Sequence, residues 1–76
     1  METISRFYHV DRDLIHYIRW IIESYDGVAV VTTIDPEKGI IELRISPGCE
    51  SIVDELIDSL KKDESIKLNK ISPELE

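Results

Sequence analysis

The spacing of apolar residues switches repeatedly between a strand period and a helix period, and the order of these switches constrains the fold more than any other feature. Residues 13–25 have the spacing of an amphipathic helix whose apolar stripe, expected in the core, extends to Tyr25. A second such helix, with either Ser46 or Cys49 as its cap, has an apolar stripe that begins at Ile52. Four other runs are β-branched or alternating, as strands are: Ile4–Val10, 28–34, Ile40–Ile45 and 66–71. The predicted order of elements is therefore β-α-β-β-α-β.

The residues between the elements support this order. Asp35-Pro36-Glu37-Lys38-Gly39 is typical of a tight turn, because proline presets φ and glycine tolerates positive φ, and it predicts a β-hairpin. Asp26-Gly27 is expected to end the first helix, with Gly27 at the left-handed C′ position. With right-handed crossovers, the whole order predicts an α+β ferredoxin-like sandwich, in which two helices cover one face of a four-stranded antiparallel sheet.

The length and the net charge of the chain limit its domain organisation and the kinds of partner it can bind. The chain has 76 residues, which predicts one domain over residues 1–71 and a C-terminal tail over 72–76. The net charge of −7 disfavours nucleic acid and anionic membranes, because both are bound by clustered positive charge. The longest uncharged run, residues 27–34, is far shorter than a membrane span, and no signal peptide is evident, so we expect a cytoplasmic protein.

One face of the predicted sheet has no helix over it. Alternation along the strands places Val10 and the isoleucines Ile41 and Ile45 under the helices, and their neighbours on the open face. The residues expected on the open face are Phe7, His9, Glu42 and Arg44, with either Ala29, Val31 and Thr33 or the alternate residues of that strand. A half-apolar sheet face is typical of an interface, so we expect a homodimer.

Few side chains suggest chemistry. Trp20 falls on the polar side of its helix and is expected either to join an interface or to fold over the edge of its own sheet. His9 and His16 match no recurrent zinc-ligand spacing, so no metal site is predicted. Cys49 is either a reactive thiol or a small, partly buried residue. No phosphate loop or nucleophile motif is present, so we predict no cofactor, no catalytic residues and no enzymatic activity.

Asp11-Arg12-Asp13 joins the first strand to the first helix and has two interpretations. An aspartate can cap a helix by accepting hydrogen bonds from its free N–H groups. Two carboxylates and a guanidinium could also bind a zwitterion such as an amino acid, since such connections gather at one edge of a sheet. Asp11, Arg12 and Asp13 are therefore the candidate ligand-binding residues.

The stretch 22–39, which runs from E-S-Y-D-G to D-P-E-K-G, resembles a small bacterial family of uncharacterised single-domain proteins. The similarity extends from about Tyr8 to Leu60 and implies no activity. The layout is also similar to ACT domains, which pair and bind amino acids between protomers. ACT domains usually have a glycine after the first strand, where this chain has Asp11-Arg12-Asp13, so no ligand residue is carried over. We expect a non-catalytic regulatory or interaction domain, with ACT-like ligand sensing as the alternative.

Overall fold

The strands and helices follow the predicted order. The computed structural model describes residues 4–71, so the predicted tail at 72–76 lies outside the described residues. The elements are β1 (Ile4–Val10), a 3₁₀ helix (Arg12–Leu14), α1 (Ile15–Glu23), β2 (Ala29–Asp35), β3 (Ile40–Ile45), α2 (Glu50–Asp63) and β4 (Leu68–Ile71). The strands form one antiparallel sheet in the order β2-β3-β1-β4. This confirms the α+β ferredoxin-like arrangement.

The core lies between the sheet and the two helices. The central strands β1 and β3 pair from Ile4↔Ile45 to His9↔Ile40, and β4 joins β1 through Val10↔Leu68. Seven side chains are almost fully buried: Ile18, Ile22, Ile41, Leu43, Ile45, Val53 and Leu68. Burial of each such side chain stabilises the fold by about 1.5–3 kcal/mol, so one layer of branched aliphatic residues holds both helices on the sheet.

The first helix is shorter than the sequence predicts. Asp11 does act as a cap, because its Oδ1 accepts a hydrogen bond from the backbone N–H of Asp13 at 3.0 Å, but the turn that it caps is 3₁₀. Helix α1 ends at Glu23, so the expectation that Tyr25 belongs to the core is wrong, and Tyr25 is 47% exposed. Gly27 has φ +75° but lies beyond the C-cap residue Ser24, so its predicted C′ role is also wrong.

The second helix begins after Cys49, which occupies the N-cap position without a side-chain capping hydrogen bond. Ser46, the other candidate cap, donates its hydroxyl hydrogen bond to the carbonyl oxygen of Gly27 instead. Ile52 was expected in the apolar stripe but is 40% exposed. The buried stripe is narrower, because residues at i, i+4 and i+7 suffice to cover the sheet: Val53, Ile57 and Leu60.

The hairpin turn is fixed to β1 as well as to its own strands. Asp35 accepts hydrogen bonds from two backbone N–H groups of the turn, and Gly39 has φ +75°. The N–H of Val10 donates to the Gly39 carbonyl oxygen at 2.7 Å. A Cβ atom on Gly39 would lie 2.1 Å from the carbonyl oxygen of Val10, so only glycine fits at this position.

Candidate functional site

The sheet face opposite the helices is not covered by any helix of the described residues. Pairing and alternation place these residues on it: Ser5, Phe7, His9, Val30, Thr32, Ile40, Glu42, Arg44, Asn69 and Ile71. We call these residues the open face. It contains all four strand residues that the sequence assigned to it, and β2 contributes the alternate set rather than Ala29, Val31 and Thr33. Val30 is 57% exposed and Phe7 and Ile40 are half-buried, so apolar surface is left in water here.

Glu42 is an acidic residue with little solvent access at the centre of this face. It pairs with Phe7 on one neighbouring strand and with Thr32 on the other, and it is only 9% exposed. Its nearest cation among the described residues is Arg44, whose Nε lies 3.6 Å from a carboxylate oxygen. The Arg44 side chain itself is 58% exposed. The open face therefore carries an anion and a cation two residues apart on one strand, and the residues around them are half apolar and half polar.

The two edges of the sheet are protected against pairing with another strand. At the β2 edge, the Glu23 side chain of α1 accepts a hydrogen bond from the backbone N–H of Val31 at 3.0 Å. The opposite edge strand, β4, has four residues and carries Lys70. A short edge with a lysine, and an edge whose N–H group is already bonded, both disfavour strand addition.

The structure separates the three candidate ligand-binding residues. Arg12 and Asp13 line one cleft with His16, and Asp11 lines a different, smaller cleft with His9. The first cleft has a volume of about 440 Å³ and lies between the start of α1 and the hairpin turn. Its remaining lining residues are Ile15, Thr33 and Pro36. The sequence could not identify these, because only the fold brings the hairpin turn beside the first helix.

Trp20 does not fold over its own sheet, so that alternative is wrong. The side chain is 67% exposed on α1, and its ring centroid lies 6.4 Å from that of Tyr17. The Tyr17 hydroxyl donates a hydrogen bond to Glu64 at 2.5 Å, which raises the pKa of Tyr17 above its ordinary value. Trp20 thus belongs to the helical side of the molecule and cannot contribute to the open face.

A further cleft of about 480 Å³, which no sequence pattern indicated, lies between α2 and the sheet. Arg6 donates a hydrogen bond to Asp54 across this cleft, and the bond raises the pKa of the Arg6 guanidinium above its ordinary value. Asp58 is paired with Lys62 one turn away on the same helix, at 3.2 Å. These carboxylates are matched by neighbouring cations, as is typical of a solvated helix surface.

The described residues offer little for metal or redox chemistry. Within residues 4–71, no group of three or more His, Cys, Asp or Glu side chains could hold a metal ion. His9 lies on the open face and His16 on the exposed side of α1. Cys49 is a free, half-buried thiol packed against the core. No helix in this part of the chain is long and apolar enough to cross a bilayer.

Comparison with known proteins identifies a family but assigns no activity. The family of the domain of unknown function DUF4911 matches residues 8–63, which include both helices, the hairpin and the last three residues of β1. No curated protein and no solved structure matches the chain. The match agrees with the resemblance noted in the sequence, because the motifs E-S-Y-D-G and D-P-E-K-G both lie within the matched residues. Each motif ends in a glycine with positive φ. The chain therefore belongs to the DUF4911 family of domains of unknown function.

Proposed function

We propose that this chain is a non-catalytic interaction domain that forms a homodimer by packing one open face against another. The observation that carries the proposal is the exposure of apolar side chains on this face, above all Val30 at 57%. Burial of such surface against a second copy is favourable at roughly 25 cal/mol per Å² before the costs of association. We further propose that the dimer acts in a bacterial cytoplasm, where a free thiol such as Cys49 stays reduced.

The dimensions of the molecule support a face-to-face dimer. The Cα atoms span 32 × 31 × 17 Å, so the domain is a slab whose broad sides are the helix layer and the sheet. A stable interface needs about 800 Å² from each partner, and a face of this breadth is large enough to supply it. The protected edges at Val31 and Lys70 disfavour the alternative, in which two sheets join side by side.

A matched pair of lysine substitutions tests this proposal. Val30→Lys places a charge within the expected interface, on the edge strand β2, and Ile52→Lys places the same charge on α2, outside it. Both side chains are at least 40% exposed, so neither change should disturb the core. In sedimentation velocity at micromolar concentration, wild type and Ile52→Lys should be dimers and Val30→Lys a monomer. A monomeric wild type, or a dimeric Val30→Lys, would contradict the proposal.

The cleft that contains Arg12 and Asp13 supports a second candidate function, the sensing of a small zwitterion such as an amino acid. The guanidinium and the carboxylate line one cleft of about 440 Å³, so they can address the opposite charges of such a ligand. In a thermal-shift screen, an amino acid at 100 times its dissociation constant should add about 2.7 kcal/mol of stability. The shift should disappear in Arg12→Ala, and no shift across the common amino acids would reject this function.

A further inference from the structure

Glu42 lies at the centre of the open face and has no close hydrogen-bond donor among the described residues. The residue is only 9% exposed, and residues 4–71 donate no hydrogen bond to its carboxylate within normal distance. Its one neighbouring cation, Arg44, lies at 3.6 Å, too far for a good hydrogen bond. A charged donor at hydrogen-bond distance stabilises a carboxylate more strongly than this loose ion pair does. Within residues 4–71, Glu42 therefore has only a loose ion pair, and Arg44 projects from the same face into solvent.

The order of these two charges makes the face complementary to itself. Glu42 and Arg44 flank Leu43 on β3, and both point away from the helices. A two-fold axis parallel to the sheet and perpendicular to β3, above Leu43, would bring residue 42 of one copy over residue 44 of the other. Packed sheets lie about 10 Å apart, a gap that an arginine and a glutamate can span together.

We infer that the occupant of the open face is a second copy of this chain, held in register by two reciprocal ion pairs between Glu42 of each protomer and Arg44 of its partner. The inference rests on the proposed dimer and adds its geometry and its source of specificity. An isologous contact of this kind repeats each pair twice. Charges across an interface fix its register and exclude wrong partners, because facing like charges are costly. The surrounding apolar residues supply the area, and the ion pairs select a copy of the same chain over other sheet faces.

Charge exchange between two variants tests this inference. Arg44→Glu would place carboxylates opposite each other in a homodimer, and Glu42→Arg would place guanidinium groups opposite each other. Each variant alone should sediment as a monomer, with its dissociation constant raised at least tenfold. An equimolar mixture should recover the dimer, because each variant then meets its opposite charge. Lys61→Glu, which reverses an exposed charge on α2, is the matched control and should remain a dimer.

The outcomes separate this inference from the proposed dimer. If the wild-type protein is a monomer, both the proposed dimer and the ion pairs are refuted. If the wild type is a dimer, the ion pairs are refuted by charge variants that are still dimers or by a mixture of the two that stays monomeric. In either of those cases the proposed dimer itself still stands. Because Glu42 is nearly buried, circular dichroism must first show that Glu42→Arg folds. If it does not, a double-mutant cycle of Glu42→Gln and Arg44→Gln on the dimer dissociation constant replaces it. If the double variant raises the dissociation constant by less than the product of the two single fold-changes, the two residues interact and the ion pairs are supported. If it raises the dissociation constant by the full product, the residues act independently and the ion pairs are refuted.

Discussion

Replacement of Gly39 by alanine tests how closely the hairpin turn approaches β1. At φ +75°, alanine costs about 1–2 kcal/mol in backbone strain. The new Cβ atom must also move from 2.1 Å to beyond 3.0 Å from the Val10 carbonyl oxygen. That shift crowds the turn, which costs about 1–3 kcal/mol. It also weakens the hydrogen bond from the N–H of Val10 to the carbonyl oxygen of Gly39, which contributes about 1 kcal/mol. We expect a total loss of about 3 kcal/mol or more in the free energy of unfolding.

Gly27→Ala is the matched control, because Gly27 has the same φ of +75° but no heavy atom within 4 Å of the added Cβ. Its free energy of unfolding should fall only by the backbone strain, about 1–2 kcal/mol. Urea unfolding at one fixed protein concentration measures both variants, since dimer dissociation would otherwise shift the midpoints. Equal losses in Gly39→Ala and Gly27→Ala would refute the argument that the turn and Val10 are in tight contact.

Two further predictions concern the helical side of the molecule. Trp20→Ala should change the free energy of unfolding by less than about 0.5 kcal/mol and should still form the proposed dimer, because Trp20 is exposed on α1. Ile22 is fully buried on the same helix, so Ile22→Ala should lower the free energy of unfolding by about 2–5 kcal/mol. A monomeric Trp20→Ala would indicate that the interface lies on the helices instead. Glu64→Ala should lower the pKa of Tyr17 towards its ordinary value, because the hydrogen bond to Glu64 retains the phenolic proton. Ultraviolet titration, with Tyr17→Phe to assign the transition, measures this, and an unchanged curve would contradict the hydrogen bond.

The sequence predicted the fold well because its local signals agree. The bounds of Ile4–Val10 and Ile40–Ile45 are those predicted, since alternation and flanking turn residues define both strands. The helices were less well predicted. Tyr25 and Ile52 fit an apolar stripe on a helical wheel, but a wheel does not show where a helix ends or how narrow the contact with the sheet is.

The candidate site depended more on tertiary structure. Alternation assigned Phe7 and His9 to the open face, but it left two choices for β2, because both sets of side chains in that strand are apolar or threonine. The low exposure of Glu42 had no signal in the sequence, since it arises from neighbours on two other strands. The division of Asp11-Arg12-Asp13 between two clefts was equally hidden, because adjacent residues in a 3₁₀ turn point in different directions.

Small-angle X-ray scattering of the wild-type protein tests the central claim most directly, since it gives mass and shape together. The Cα radius of gyration of one copy is 11.7 Å. Two slabs stacked through their open faces should have twice the mass and a radius of ~15 Å, whereas the same slabs joined at an edge would reach ~20 Å. We predict the dimer mass with the smaller radius. A monomer mass at high micromolar concentration, or a dimer mass with the larger radius, would contradict the face-to-face dimer.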